Sequence, residues 1–268
     1  MSVVDKERAI KSIVRASVSS FAVAFKGRHI AEHDDPEGTI NMKIHNVFIA
    51  VLGSDIQYYT ALARSLDSSL GNMLEAMAIE IAKLSYEVDN NVNGKLFDKQ
   101  TQFIAELLEK YKRHELHPKI EDYLKLRKLV GGNGFTKRHE SDYYLIDKEN
   151  NKHYLIELKI GGDLDNKKAR SEKEAILEQY CILSNTLPKD ANISINFATA
   201  YNRFGENNAW RQERVKQFFA EDELLIGKDF WNLICKSENG YNWVLKTYRE
   251  KAPELKDALE EIKLRYLG

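Results

Sequence analysis

Cysteine is nearly absent from the 268 residues: Cys181 and Cys235 are the two, and neither lies in a CxxC pair. That argues against a disulfide scaffold and for two buried thiols in a reducing cytosol. No apolar run approaches the ~20 residues needed to cross a bilayer; the longest, VFIAVL, covers 47–52. The opening MSVVDKERAIKS mixes charges before any apolar stretch, unlike a secretory signal, so the chain reads as cytoplasmic and free of membrane. Net charge is lacking too. Forty Lys and Arg against 41 Asp and Glu leave −1 with histidine neutral, which excludes indiscriminate coating of nucleic acid but not a local basic groove. Internal repeats and low-complexity segments are also missing.

What is present is 43% hydrophobic and 10% aromatic residues, enough for a sizeable core. Apolar spacing predicts a helix over 4–26, a break at HDDPEG (33–38), and helix over 41–66 interrupted near Gly53-Ser54-Asp55. A clearer helix covers 65–88, with Asp67 or Ser68 as its cap and Leu70, Met73, Leu74, Met77, Ile81 and Leu84 on one face. Residues 100–113 and 118–130 form a helical pair split at Pro118. Segments 89–96 and 131–136 read as linkers or loops. A β-hairpin follows, DYYLID (142–147) and HYLIELKI (153–160) around the turn KENN. Then come a charged helix over 164–182, a strand over 193–201, a helix starting near Asn208, and two more at KDFWNLIC and PELKDALEEIKLRYL. Helices first, then strands with interleaved helices, give a mixed α/β domain with a helical N-terminal part.

The hairpin carries the chemistry. A turn centred between Glu149 and Asn150 sets Asp142 opposite Glu157, and like charges across strands are destabilising by themselves. Glu157 and Lys159 share a face, their Cα atoms about 6.6 Å apart along the strand. Two carboxylates that repel are tolerated around a divalent cation, and oxygen ligands suit Mg²⁺ or Mn²⁺. A lysine beside them can contact a phosphate or steady an attacking water, which are the parts of metal-assisted phosphodiester hydrolysis. Gly161-Gly162 would allow a sharp exit from the strand and close approach of backbone to a ligand. Against this stands the plain reading, a Glu-Lys salt bridge on a solvated strand.

At these positions the sequence resembles the PD-(D/E)XK nuclease superfamily. The matching pattern is Ser141-Asp142, fourteen intervening residues, then Glu157-Leu158-Lys159, with serine where the family usually has proline. The longer string IELKIGGDLDNKKARSEKEAILEQ, with SSLGNMLEAMAIEIAK upstream, is similar to TdeIII-type type II restriction endonucleases, over roughly residues 65–235. The resemblance implies a restriction-endonuclease-like mixed β-sheet core flanked by helices. It implies that Asp142, Glu157 and the main-chain carbonyl of Leu158 hold Mg²⁺ (Mn²⁺ as substitute), and that Lys159 orients the water and stabilises the phosphate. A further acid from a core helix would be Glu75, with Glu80 as fallback. The expected division is a helical region 1–64 for packing or dimerisation and a nuclease domain 65–268, with one continuous domain over 1–268 as the alternative.

The implied activity is sequence-specific, Mg²⁺-dependent cutting of double-stranded DNA that leaves 5′-phosphate ends. The alternatives are a structure-specific repair or recombination nuclease of the same fold and a non-catalytic DNA-binding module. For DNA contact the candidates are Asn166, Lys167, Lys168, Arg170 and Lys173 at the start of the charged helix, Lys137 and Arg138 with His139 in FTKRHES, and Arg203, Asn207 and Arg211 in YNRFGENNAWRQER. An ordinary solvated surface is the other reading of each cluster. Two-fold cutting suits a homodimer, with Asn41–Leu66 supplying either dimer surface or core. His114 and His117 read as surface histidines, GGNGFTK lacks the ending of a P-loop, and the aromatic run 230–243 reads as core.

Overall fold

Ser2 opens the first helix by accepting a hydrogen bond from the Asp5 amide on its hydroxyl, satisfying one of the amides a helix start leaves bare. The computed structural model describes residues 2–268. In chain order the elements are α1 (Val3–Ala31), α2 (Val47–Ala50), α3 (Ser54–Ala82), β1 (Glu87–Phe97), α4 (Asp98–Lys112), α5 (Ile120–Leu124), β2 (Gly134–Asp147) and β3 (Lys152–Leu158). They continue with α6 (Asn166–Thr186), β4 (Asn192–Thr199), α7 (Glu213–Lys216), β5 (Leu224–Ile226), α8 (Lys228–Cys235) and α9 (Gly240–Leu267). The fold is α/β with a helical N-terminal part.

Two compact units make up the chain. The first joins the residues up to Ile81 with Asn242–Gly268, and the second is Ala82–Tyr241. In the first unit α1 and α9 run parallel in one register. Arg15 meets Glu250 at 3.3 Å, Ser19 meets Glu254 at 2.5 Å and Lys26 meets Glu261 at 3.0 Å, always the same number of residues apart. Beneath these polar contacts Ala22 packs on Leu255 and Ala258, small residues that let the two helices approach. Helix α3 runs unbroken through position 64, where the sequence suggested a new domain, and the expected cap at Asp67 or Ser68 lies in its interior.

The second unit holds a five-stranded mixed sheet in the order β1-β2-β3-β4-β5. The first three strands pair antiparallel and the rest parallel, with α6 as the crossover from β3 to β4. Its α6-facing side is filled by Val92, Leu96, Tyr144, Leu155, Phe197, Ile176 and Tyr180. On the other side Tyr143 meets the Phe230 ring of α8 edge-on. Residues 89–96, expected as a linker, are β1. The segment is polar because an edge strand needs only one buried side, here Val92 and Leu96 two positions either side of Gly94. Residues 135–141 are strand rather than loop, and the helix expected from Asn208 shrinks to the four residues of α7.

Candidate active site

The hairpin register sets Tyr144 opposite Leu155 and ends with Tyr143 opposite Ile156, one step short of Asp142 and Glu157, and the Asp142 charge acts on the Glu157 carboxyl, so the two acids lie near each other. Asp142 sits where the pairing with β1 slips. Asp89 pairs with Tyr144 and Asn91 with Glu140, so Ser141, Asp142 and Tyr143 stand against Asn90 alone. An irregularity of this kind re-aims side chains. Before it, odd-numbered His139 and Lys137 point to Glu178 of α6; after it, even-numbered Tyr144 joins the core beneath α6. Freed from the ladder, Asp142 Oδ2 accepts the Leu158 amide at 2.8 Å, tying the acid to the end of β3.

Lys159 follows β3 directly and its amide donates to the Ala198 carbonyl at 3.0 Å, holding it beside β4. Its ammonium donates to Glu157 Oε1 and lies 3.3 Å from Glu172 Oε1 on α6. Burial and then Asp142 push the Glu157 carboxyl up to about 8, despite the opposing pull of Lys159. Burial works against the charge on Lys159, but Glu157, Glu172 and Asp142 outweigh it and raise the ammonium above its ordinary value. Lys159 thus shifts as an ion pair would have it, whereas Glu157 shifts the opposite way. Three carboxylates around one ammonium leave an uncompensated negative charge, and a proton on Glu157 relieves it. A divalent cation would relieve it as well.

The glycines after Lys159 serve the fold rather than leave room for a ligand. Gly162 has φ +64°, and a Cβ there would stand 2.7 Å from Thr199 Cγ2 and 3.1 Å from the Trp210 ring. At Gly161 it would stand 2.8 Å from the Tyr201 hydroxyl.

The model of the family described as "Type II restriction endonuclease, HinfI" matches residues 6–252. The chain belongs to the HinfI family of type II restriction endonucleases. No curated protein and no solved structure matches it. The TdeIII-type likeness and the HinfI family meet at the level of type II restriction endonuclease, and family membership makes DNA the substrate.

In this HinfI-family chain the expected DNA-contact residues fare differently. Lys167 and Lys168 are exposed on the first turn of α6, as is Asn166. The helix start offers less to a phosphate than expected, because the Asp165 carboxylate already accepts the Lys168 amide at 2.8 Å. Arg170 is half-buried against Glu109, 3.8 Å away. Lys173 is no DNA contact: it is 1% exposed and gives both Glu223 carboxylate oxygens a hydrogen bond, at 2.6 and 2.7 Å. Three residues on from Arg170, it falls on the inner side of α6, over the Phe219 and Tyr123 rings. Lys137 reaches Glu178 at 2.6 Å, with His139 at 2.8 Å from the same oxygen. Arg138 is exposed and bonded to Asn91 Oδ1 at 2.8 Å.

Arg203 pairs with Asp163 at 2.8 Å, joining the loop after β4 to the loop after β3, and Asn207 and Arg211 are exposed. Glu75 is half-buried on α3 and Glu80 exposed, both in the first unit, whereas Asp142, Glu157 and Lys159 are in the second. Glu172 is the residue the sequence did not single out. It looked like one more charge on a solvated helix, and only the docking of α6 brings it to Lys159.

Proposed function

We propose that this HinfI-family enzyme works as a PD-(D/E)XK nuclease, hydrolysing phosphodiester bonds of double-stranded DNA at a specific sequence with Mg²⁺ and leaving 5′-phosphate and 3′-hydroxyl ends. The observation that carries the reading is Asp142, bonded to the Leu158 amide, near Glu157 at the end of β3 with Lys159 beside them. The acids fit a hard divalent cation: they are oxygen donors, close enough for mutual repulsion to help raise Glu157. Among the described residues no group of three or more His, Cys, Asp or Glu side chains could hold a metal. Two carboxylates are what Mg²⁺ ordinarily takes from a protein, its other positions going to water and substrate phosphate. The Leu158 carbonyl is a third protein oxygen, since a strand residue's C=O points to the same edge as its N–H, here towards Asp142.

When bound, the metal would polarise the phosphate and lower the pKa of its water. The chain's own residues do the rest. Lys159 presents an ammonium to the phosphate oxygen on which charge develops and orients the water. The exposed Lys167 and Lys168, with Arg138, Asn207 and Arg211, hold the duplex, and Asn166 is placed to read a base. The TdeIII-type likeness favours a short, GC-containing, two-fold-symmetric site. The enzyme acts in the cytoplasm, and no helix among the described residues is long and apolar enough to cross a membrane.

A homodimer completes the reading, one active centre for each strand. Residues 42–52 support it, because they are not core: Phe48 is 82% and Val51 81% exposed, with Ile44, Val47 and Leu52 around them. Incubation of the pure protein with phage DNA and Mg²⁺ tests the function. Discrete fragments are expected; smears or junction-specific cuts would mean a repair nuclease, and no hydrolysis on many DNAs a binding module.

A further inference from the structure

Lys159 has two carboxylates in reach where the reading above uses one. Its ammonium donates to Glu157 and lies 3.3 Å from Glu172 Oε1, with the Glu172 side chain 25% exposed. Glu172 is placed there by α6, whose next turns are locked into the unit by the buried Lys173–Glu223 pair and by Glu178 with Lys137 and His139. It is therefore a fixed seat and not a passing surface contact. Once Glu157 turns its charge to a cation, that cation repels the neighbouring ammonium, and Glu157 can no longer hold Lys159 alone. Glu172 lies on a different element from the strand acids and keeps its charge for the lysine.

We propose that Glu172 is a positioning residue that anchors the Lys159 ammonium during cleavage, so that it stays aimed at the phosphate after Glu157 has been taken up. This rests on the nuclease reading, and the test separates the two.

In Glu172→Gln, an isosteric change, the single-turnover cleavage rate should fall on the order of tenfold to a hundredfold, the cost of misplacing a reacting group. DNA affinity measured in Ca²⁺ and the thermal midpoint should be unchanged, and Glu172→Asp should recover part of the rate. The double variant Lys159→Ala/Glu172→Gln should be no slower than Lys159→Ala, because Glu172 acts through the lysine. A wild-type cutting rate in Glu172→Gln, or losses that add in the double variant, would overturn the inference. Wild-type cutting in Lys159→Ala would instead remove the nuclease reading beneath it.

Discussion

Glu157 is 9% exposed, at a place where its strand neighbours Leu155 and Ile156 are apolar and buried. A carboxylate held there, facing Asp142 and touching Lys159, is expensive for folding and has to be justified by chemistry. Replacing Lys159 with alanine should reduce cleavage on the order of 10³-fold, the scale of losing one donor aimed at developing charge, while DNA binding persists in a gel-shift assay with Ca²⁺. Asp142→Ala should lose cutting and also the Mg²⁺-induced rise in thermal midpoint. The raised Glu157 carboxyl sets a pH dependence for the metal-free protein. Its stabilising contribution is complete below the ordinary glutamate range and is lost as pH climbs through about 8. Thermal melts in EDTA from pH 5 to 8.5 should show this decline in wild type, and Glu157→Gln, which copies the protonated form, should flatten it.

Element by element, the hairpin was the most legible part of the sequence. KENN fixes the turn, the turn fixes the register as far as Tyr143 opposite Ile156, and that carries positions 142 and 157 to the same end of the hairpin. Strand β1 was illegible because EVDNNVNGKLF obeys the rules of an edge, with a short buried pattern and many polar residues. The inward side of α6 was misread for a related reason. Its charges repeat too densely to reveal which are buried, and Lys173 is bonded to a carboxylate fifty positions away, beyond any local pattern. Breaking that pair with Lys173→Met strands the buried Glu223 and should cost about 3–5 kcal/mol, whereas replacing both partners, Lys173→Met/Glu223→Leu, should cost far less; urea unfolding distinguishes them. Gly162→Ala combines a left-handed backbone with a collision against Thr199 and should cost on the order of 1–3 kcal/mol, measured in the same way.

At the scale of the molecule, Phe48 and Val51, 82% and 81% exposed, belong to the surface that the proposed homodimer would cover. Phe48→Asp/Val51→Asp should leave the fold intact by circular dichroism. It should shift sedimentation from dimer towards monomer and slow double-strand breaks relative to nicks.

The pairing of α1 with α9 bears on the order of events at the ribosome. Translation delivers α1 well before α9, so Ala22 waits for Leu255 and Ala258 until some 230 intervening positions have been added, about 12–46 s at ordinary elongation speeds. The central sheet, whose strands all emerge earlier, can assemble in that interval. A chain stopped near residue 241 would hold the complete second unit and a first unit without α9, sticky along α1 and prone to capture by chaperones.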